Sequence, residues 1–237
     1  MSTIKTTILG LSGSKESGKT TVAAAVEDWF KSYASELYEP MDWDRLLECC
    51  TISFADPLKK ILIDVMGLSK DQCYGTNDDK NTLTDFWWDS LPIEIRLKYS
   101  NENIVLDNQI HKLPRIGQMT SREVMQVLGT DIMRDMFDNK IWVSAALRQI
   151  RRLKEGSLVL IPDVRFKSEV YAILDHPNGY IVRLLRKPHN DSHPSETQLD
   201  DFCFNDYSNR CIEIDNQELG IKSTNTMVIN FLKDKIG

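Results

Sequence analysis

Cysteine is scarce in this sequence, and the cysteines present are not arranged like a metal site or a disulfide framework. Their number is odd and none forms a C-x-x-C pair; the five are Cys49, Cys50, Cys73, Cys203 and Cys211. Neither His189 nor His193 has zinc-site spacing relative to them. The pattern argues against a structural metal cluster and favours small buried side chains in a reducing compartment.

Long apolar runs are also missing. No run approaches the ~18 residues of a membrane-spanning helix, and the first residues lack a signal-peptide pattern. The sequence contains no internal repeat and no low-complexity tract. We therefore expect a cytoplasmic protein without a membrane partner.

An excess of basic residues is absent too. The chain has 29 Lys and Arg against 35 Asp and Glu, whereas proteins that bind nucleic-acid polymers are usually basic. A small anionic ligand needs only a local basic pocket, so that class of partner stays open. The length of 237 residues and the hydrophobic fraction of 41% suit a single domain over residues 1–237.

Five short apolar runs alternate with helical patterns, which predicts an α/β fold with a five-stranded parallel sheet flanked by helices. The runs are 7–12, 49–54, 158–161, 180–185 and 211–214. Ligands of such sheets bind beyond the carboxyl ends of the strands. The Asp-, Asn- and Trp-rich stretch 68–118 is predicted to be a partly helical insertion, in which Trp87 and Trp88 either stack on a base or pack a small subdomain.

The first predicted strand runs into a G-x-x-x-x-G-K-T sequence, which is followed by an Ala- and Val-rich helical pattern. This is the strand–loop–helix setting of a P-loop, whose backbone N–H groups surround phosphates at a helix N-terminus. Lys19 is expected to reach the β- and γ-phosphates of ATP, and Thr20 to bind Mg²⁺ through its hydroxyl. The predicted ATP-binding residues are Gly13, Ser14, Lys15, Glu16, Ser17, Gly18, Lys19, Thr20 and Thr21.

Two basic residues follow helix-start signals elsewhere in the chain. Asp56 is predicted to be an N-cap with Lys59 in the first helical turn, and Thr120 with Glu123 has capping-box spacing around Arg122. Gly67 and Gly129 are predicted to end these two helices. A cation in a first turn opposes the helix dipole by about 0.3–1 kcal/mol. The recurrence suggests a second bound phosphate, distinct from the one at the P-loop, although each cation alone is equally compatible with a solvated surface residue.

Polar residues also follow the third and fourth predicted strands. Asp163, Arg165 and Glu169 lie on one strand-to-helix turn, where they either contact nucleotide or form a surface ion-pair cluster. Arg186 begins a polar loop, 186–196, that is predicted to be a lid. We predict that Lys19, Arg122 and Arg186 are the catalytic cations that stabilise the transferring phosphoryl group.

Five stretches carry a family resemblance. GSKESGKTT, FADPLKK, SREVMQVLGTDIMRDMFDNKIWV, IPDVRFKSEV and HPSE occur in that order, and the chain resembles the bacteriophage deoxynucleoside monophosphate kinases, within the P-loop nucleoside monophosphate kinase superfamily. The resemblance implies the P-loop fold, ATP and Mg²⁺, and a deoxynucleoside monophosphate as acceptor. It further implies a homodimer in many members, and a host-cytoplasmic location if the chain is phage-encoded.

The resemblance also implies residue roles at the acceptor site. The expected substrate-binding residues are Leu58, Lys59, Arg122, Gly129, Thr130, Trp142, Asp163, Arg165 and Glu169. Many members have G-K-D-T in the P-loop, whereas this chain has Thr20 in place of the Asp, which makes conventional Mg²⁺ ligation more plausible.

Two alternative functions remain open at this level. One is a P-loop kinase for another phosphorylated small molecule, such as a phosphorylated isoprenoid precursor, which would keep both phosphate sites but need no base pocket. The other is a nucleotide-dependent switch. A guanine-specific switch usually carries N-K-x-D, and the nearest approach, DNKI at 138–141, lacks the final Asp.

Overall fold

The structure, a computed structural model, describes residues 5–37, 47–188 and 198–236. The chain divides into two compact units. Unit 1 comprises Met1–Phe54 and Val143–Gly237, and unit 2 comprises Ala55–Trp142. No helix within the described ranges is long and apolar enough to cross a membrane.

The strands and helices alternate through unit 1 and are short in unit 2. The strands are β1 (Thr7–Gly13), β2 (Cys49–Thr51), β3 (Leu83–Trp87), β4 (Asn103–Leu106), β5 (Gln109–Lys112), β6 (Gln118–Thr120), β7 (Leu158–Val164), β8 (Gly179–Leu184) and β9 (Cys211–Ile214). The helices are α1 (Lys19–Leu37), α2 (Asp56–Asp64), α3 (Lys70–Tyr74), α4 (Asn77–Lys80), α5 (Ile93–Lys98), α6 (Ser121–Gln126), α7 (Ile141–Ile150), α8 (Lys167–Leu174) and α9 (Ile221–Ile236). Within the described residues, a π-helical segment (Val127–Phe137) and two 3₁₀ turns (Trp88–Ser90 and Phe204–Tyr207) complete the elements.

Unit 1 is built on a five-stranded sheet in the order β2-β7-β1-β8-β9, and every pairing is parallel. The predicted α/β fold with a five-stranded parallel sheet is therefore confirmed, and all five predicted strands are present. The second is shorter than expected, since pairing stops at Thr51. Strands buried on both faces read as continuous apolar runs, which is why they stand out in the sequence.

The core of unit 1 lies between the sheet and its helices. Leu9, Leu11 and Leu160 from the central strands pack with Val26 and Phe30 of α1. The central strand β1 also carries Gly10, where an added Cβ would lie 2.7 Å from Ile173 Cδ1 on α8. The small residue thus allows α8 to pack closely on the strand that leads into the P-loop sequence.

Unit 2 holds two small antiparallel sheets, β3–β6 and β4–β5, among short helices. The β4–β5 hairpin turns through Asp107 and Asn108, both with positive φ, a conformation that Asp and Asn tolerate better than most residues. The predicted insertion 68–118 falls within this unit and contains strands that the sequence pattern did not predict. Trp88 is fully buried and its ring lies 5.2 Å from that of Tyr99, whereas Trp87 is half exposed.

Two predicted helix boundaries are wrong. Ala55, not Asp56, is the N-cap of α2, so Lys59 is its fourth residue and its N–H already donates to Ala55 O at 3.0 Å. The dipole penalty at Lys59 is therefore smaller than predicted. Gly129 does not end α6, because the chain continues as a π-helix to Phe137. Gly67, in contrast, has φ +77° just beyond α2, as expected for a helix-ending glycine.

Candidate active site

The predicted P-loop connects β1 to α1 and is tightly folded. Gly13, Glu16 and Gly18 have positive φ values of 144°, 61° and 107°. A Cβ on Gly13 would lie 2.6 Å from Ser17 Oγ and 2.7 Å from the backbone oxygen of Leu184, so glycine is required there. The loop thereby leaves a backbone cradle of the kind that accepts phosphate oxygens.

Lys19 and Thr20 stand at the start of α1. Lys19 Nζ donates to the carbonyl oxygens of Gly13 at 2.8 Å and Ser14 at 2.6 Å, which holds the ammonium over the loop. Thr20 and Thr21 are exposed in the first turn, and that turn contains no acidic residue. The positive end of the helix dipole is therefore not cancelled locally, which fits an anionic ligand.

A buried asparagine connects the loop to Arg186, the second residue after β8. Asn216, 4% exposed, donates from Nδ2 to Ser17 O at 2.8 Å, and its Oδ1 accepts from the backbone N of Arg186 at 3.0 Å. Ser14 Oγ donates to Arg186 O at 2.8 Å. Both backbone polar groups of Arg186 are thus tied to the loop or its support, while the residue itself is exposed.

A pocket of mixed polarity opens beside the loop within unit 1. Its lining includes Gly13, Ser14, Arg165, Arg183 and Lys187. Asp200, also in the lining, accepts from Arg183 Nη2 at 2.7 Å and from Lys187 Nζ at 3.0 Å. The lining therefore holds three basic side chains and one carboxylate, a composition that suits a phosphate-bearing ligand.

Asp163 near the end of β7 joins two neighbouring strand ends. Ser53 Oγ donates to its Oδ2 at 2.5 Å and the Phe54 N–H donates to its Oδ1 at 3.1 Å. The carboxylate therefore fixes the chain that leaves β2. This is the carboxyl edge of the parallel sheet, where the ligands of such folds bind.

Glu169 has a structural role that the sequence did not predict. Its side chain is buried, and its Oε2 accepts from the backbone N–H groups of Arg165 at 2.8 Å and Phe166 at 3.1 Å. The carboxylate thus forms the turn from β7 into α8 and orients Arg165, which lies in the pocket lining. On this geometry Glu169 positions the turn that carries Arg165.

In unit 2, Lys59 of α2 lies over an aromatic ring. Its Nζ is 4.2 Å from the ring centroid of Tyr74, a cation–π distance. The Tyr74 hydroxyl donates to Asp56 Oδ1 at 3.1 Å. Burial and the neighbouring Asp56 carboxylate raise the pKa of Tyr74 to about 12, so the phenol stays neutral at physiological pH.

Arg122 lies within the predicted capping box, which the structure confirms. Thr120 Oγ1 accepts from the Glu123 N–H, and Glu123 Oε2 accepts from the Thr120 N–H. The Arg122 guanidinium donates from Nε to Asn81 Oδ1 at 3.1 Å and from Nη2 to Asn77 Oδ1 at 3.0 Å. Both partners are neutral amides.

Three further predicted substrate residues meet inside unit 2. A Cβ on Gly129 would lie 2.6 Å from Leu58 Cδ2, and Trp142 Nε1 donates to Gly129 O at 3.0 Å. Leu58 and Trp142 are buried and pack against the π-helix, and Thr130 beside them is half-buried. π-Helical turns are often found at functional sites.

Part of the predicted lid lies outside the described residues. Of 186–196, only 186–188 are described, and His189, His193 and Glu196 are not.

The site residues that the sequence analysis missed are Asn216, Tyr74, Asn77 and Asn81. Asn216 had a usable signal, because it comes two residues after the fifth strand, at the ligand-binding edge of the sheet. Tyr74 and Asn77 lie on short helices without a motif, and Asn81 directly follows the second of these helices.

The chain is similar to known proteins over most of its length. A family model described as deoxynucleotide monophosphate kinase matches residues 7–206, a span that holds the loop, Lys59, Arg122 and the β7 turn. A protein of Acanthamoeba polyphaga mimivirus that carries the name deoxynucleotide monophosphate kinase is 28% identical over 208 residues, with 81% of each chain covered. The sequence motifs, the parallel sheet and the family match lead to one conclusion: the chain belongs to the deoxynucleotide monophosphate kinase family.

Proposed function

We propose that the protein transfers the γ-phosphoryl group of ATP to the 5′-phosphate of a deoxynucleoside monophosphate, giving a deoxynucleoside diphosphate and ADP. The family match over residues 7–206 carries this proposal. The P-loop sequence between β1 and α1 supports ATP as the donor. Phosphoryl transfer between phosphates needs positioning and charge neutralisation, and it does not require a general base.

The donor triphosphate would be held by residues 13–21. The backbone from Gly13 to Gly18 would surround its phosphates, and the Lys19 ammonium would exchange its carbonyl partners for β- and γ-phosphate oxygens. Mg²⁺, when bound, would neutralise these phosphates, and Thr20 is the residue proposed to hold it. Thr20 is exposed in a first turn that holds no acidic residue, which fits that role.

The acceptor phosphate would be held by cations of unit 2. Lys59 and Arg122 are proposed to bind it directly, and Leu58, Gly129, Thr130 and Trp142 to shape the surrounding wall. Asp163 and Arg165 in unit 1 are proposed substrate contacts, with Glu169 positioning Arg165. Arg186 is the proposed cation for charge that develops in the transition state, because its backbone is fixed at both ends while the residue is exposed.

Several broader features are also proposals. The insertion 68–118 is proposed to contribute to the monophosphate and base site. The acidic net charge supports small-molecule substrates over a nucleic-acid polymer. A cytoplasmic location, a phage origin and a homodimer rest on the sequence pattern and the family resemblance.

Steady-state kinetics with three variants would test the assignment of the two phosphate sites. Lys19→Ala should abolish turnover. Lys59→Ala and Arg122→Ala should each raise the KM for the monophosphate about tenfold or more, the effect of one lost charge-assisted hydrogen bond, with the KM for ATP within about twofold of wild type. Lys60→Ala, an exposed neighbour on α2, is the matched control and should behave as wild type. Equal rises in both KM values for Lys59→Ala and Arg122→Ala would contradict the assignment.

A further inference from the structure

Several basic side chains of this protein are paired with carboxylates. Arg183 is paired with Asp200 at 2.7 Å, and Arg115 is paired with Glu123. Such pairs stabilise a local arrangement, but they also reduce the attraction of the cation for an external anion. A cation that has to bind a phosphate is better oriented by groups that carry no charge.

Arg122 has partners of that second kind. Asn81 and Asn77 each present a side-chain carbonyl oxygen, and they accept from two different nitrogens of the guanidinium, at 3.1 Å and 3.0 Å. Two hydrogen bonds to one planar group fix its orientation. Because both acceptors are amides, the positive charge of Arg122 is retained.

The two asparagines belong to one short structural unit. Asn77 is the first residue of α4, and Asn81 follows the last, with its N–H donating to Asn77 O at 3.1 Å. Residues four apart lie on the same side of a helix, so both amides face Arg122 together. The start of α4 is fixed by a capping box in which Asp79 Oδ2 accepts from the Thr76 N–H at 2.7 Å. That carboxylate is thereby engaged with Thr76.

Lys59 is oriented in a similar way by α3, the helix that precedes α4. Tyr74, the last residue of α3, places its ring 4.2 Å from Lys59 Nζ. A ring quadrupole attracts an ammonium group without cancelling its charge. The hydroxyl of the same tyrosine donates to Asp56 at 3.1 Å, which holds the ring in place.

We propose that Asn77, Asn81 and Tyr74 are positioning residues that orient Arg122 and Lys59 for the dianionic phosphate of the acceptor while preserving both positive charges. The inference rests on the proposed function of those two cations. It assigns residues 74–81 a role in recognising the phosphorylated end of the acceptor, so that a monophosphate is preferred over the corresponding nucleoside. The essential property of these three partners is that they carry no charge, and their shape is secondary.

The test separates the effect of a negative charge at residue 77 from the effect of losing its hydrogen bond to Arg122. Asn77→Asp keeps the size of the side chain and places a carboxylate on Arg122, whereas Asn77→Ala removes the hydrogen bond and adds no charge. Asn108→Asp in the exposed β4–β5 turn changes the net charge by the same amount and serves as control. The measurements are the KM for each substrate and the thermal unfolding midpoint.

We expect Asn77→Asp to raise the KM for the monophosphate about tenfold, comparable to the loss of one charge-assisted hydrogen bond. Its KM for ATP should stay within twofold of wild type, and its unfolding midpoint should be equal or higher because a new ion pair forms. Asn77→Ala should raise the monophosphate KM only about two- to threefold. Asn108→Asp should match wild type.

Two outcomes would overturn the proposal in distinguishable ways. If Asn77→Asp and Asn77→Ala raise the monophosphate KM equally, and both lower the unfolding midpoint, then Asn77 is only a structural residue. If Arg122→Ala leaves the monophosphate KM unchanged, then Arg122 does not bind the acceptor, and the proposed function of that cation fails first.

Discussion

Replacing Asn216 by leucine should destabilise the protein and weaken ATP binding together. The side chain is buried, and its amide links the P-loop to the chain that leaves β8 through two hydrogen bonds, 2.8 Å to Ser17 O and 3.0 Å from Arg186 N. Leucine has a similar volume but can neither donate nor accept. Both backbone groups would lose their partner, and the loop would keep the hydrogen bond from Ser14 Oγ to Arg186 O as its connection to Arg186.

The magnitude follows from the burial of the two partners. Ser17 is fully buried, so its unpaired carbonyl should cost about 1–3 kcal/mol. Arg186 is exposed, so water can replace the amide there, and the loss should be about 0.5–1 kcal/mol. The sum is about 1.5–4 kcal/mol, or roughly 3–16 °C in unfolding midpoint for a chain of this size.

The assay is thermal unfolding combined with ATP titration, and the chain offers a matched control. Asn225 on α9 has a buried Oδ1 that accepts no hydrogen bond from the described residues. Asn225→Leu should therefore be neutral or slightly stabilising, since leucine also favours helix more than asparagine does. If Asn216→Leu and Asn225→Leu shift the midpoint equally, or if Asn216→Leu leaves ATP affinity unchanged, the role assigned to Asn216 is refuted.

Three other substitutions or reactions should have defined outcomes. Gly13→Ala should abolish ATP binding, because its Cβ would lie 2.7 Å from a backbone oxygen and its φ of +144° is unfavourable for alanine; binding at wild-type affinity in a titration would contradict this. Glu169→Gln should lower stability by about 1–3 kcal/mol in denaturant unfolding, because a buried carboxylate that accepts from two backbone N–H groups becomes a neutral amide. Alkylation at pH 8, read by mass spectrometry, should label exposed Cys203 but spare Cys49: burial raises the pKa of the Cys49 thiol to about 12, which leaves almost no thiolate at that pH. If Cys49 were labelled at the same rate as Cys203, the raised pKa of the Cys49 thiol and the burial that causes it would be contradicted.

The fold of unit 1 was largely predictable from the sequence. Its central strands β1, β7 and β8 are mostly buried, so they appear as apolar runs, and the P-loop motif marks the end of β1. Unit 2 was less predictable. Strands β4 and β5 are exposed along their whole length, so they lack the alternation that would identify them.

The helix ends show where local rules fail. Glycine is a residue that often ends a helix, yet the contacts of Gly129 with Leu58 and Trp142 hold it inside a π-helix. Tertiary packing there outweighs the local preference of glycine. The Thr120–Glu123 capping box, in contrast, was predicted correctly because it depends only on residues three apart.

The candidate site divides in the same way. The loop residues and the basic residues Lys59 and Arg122 could be named from motifs and from their position after helix-start signals. Their partners Tyr74, Asn77 and Asn81 could not, because the chain brings them together over up to 45 positions of sequence separation. Glu169 was identified as a site residue, but its burial and its hydrogen bonds to two backbone N–H groups of the turn after β7 could not be predicted from the motif.

The most direct test of the central claim is the product formed when the purified protein is mixed with ATP, Mg²⁺ and each deoxynucleoside monophosphate in turn. We predict stoichiometric ADP and deoxynucleoside diphosphate with at least one of the four, and neither product from the matching nucleoside. Release of ADP without any diphosphate, with all four monophosphates, would contradict the proposed phosphoryl transfer.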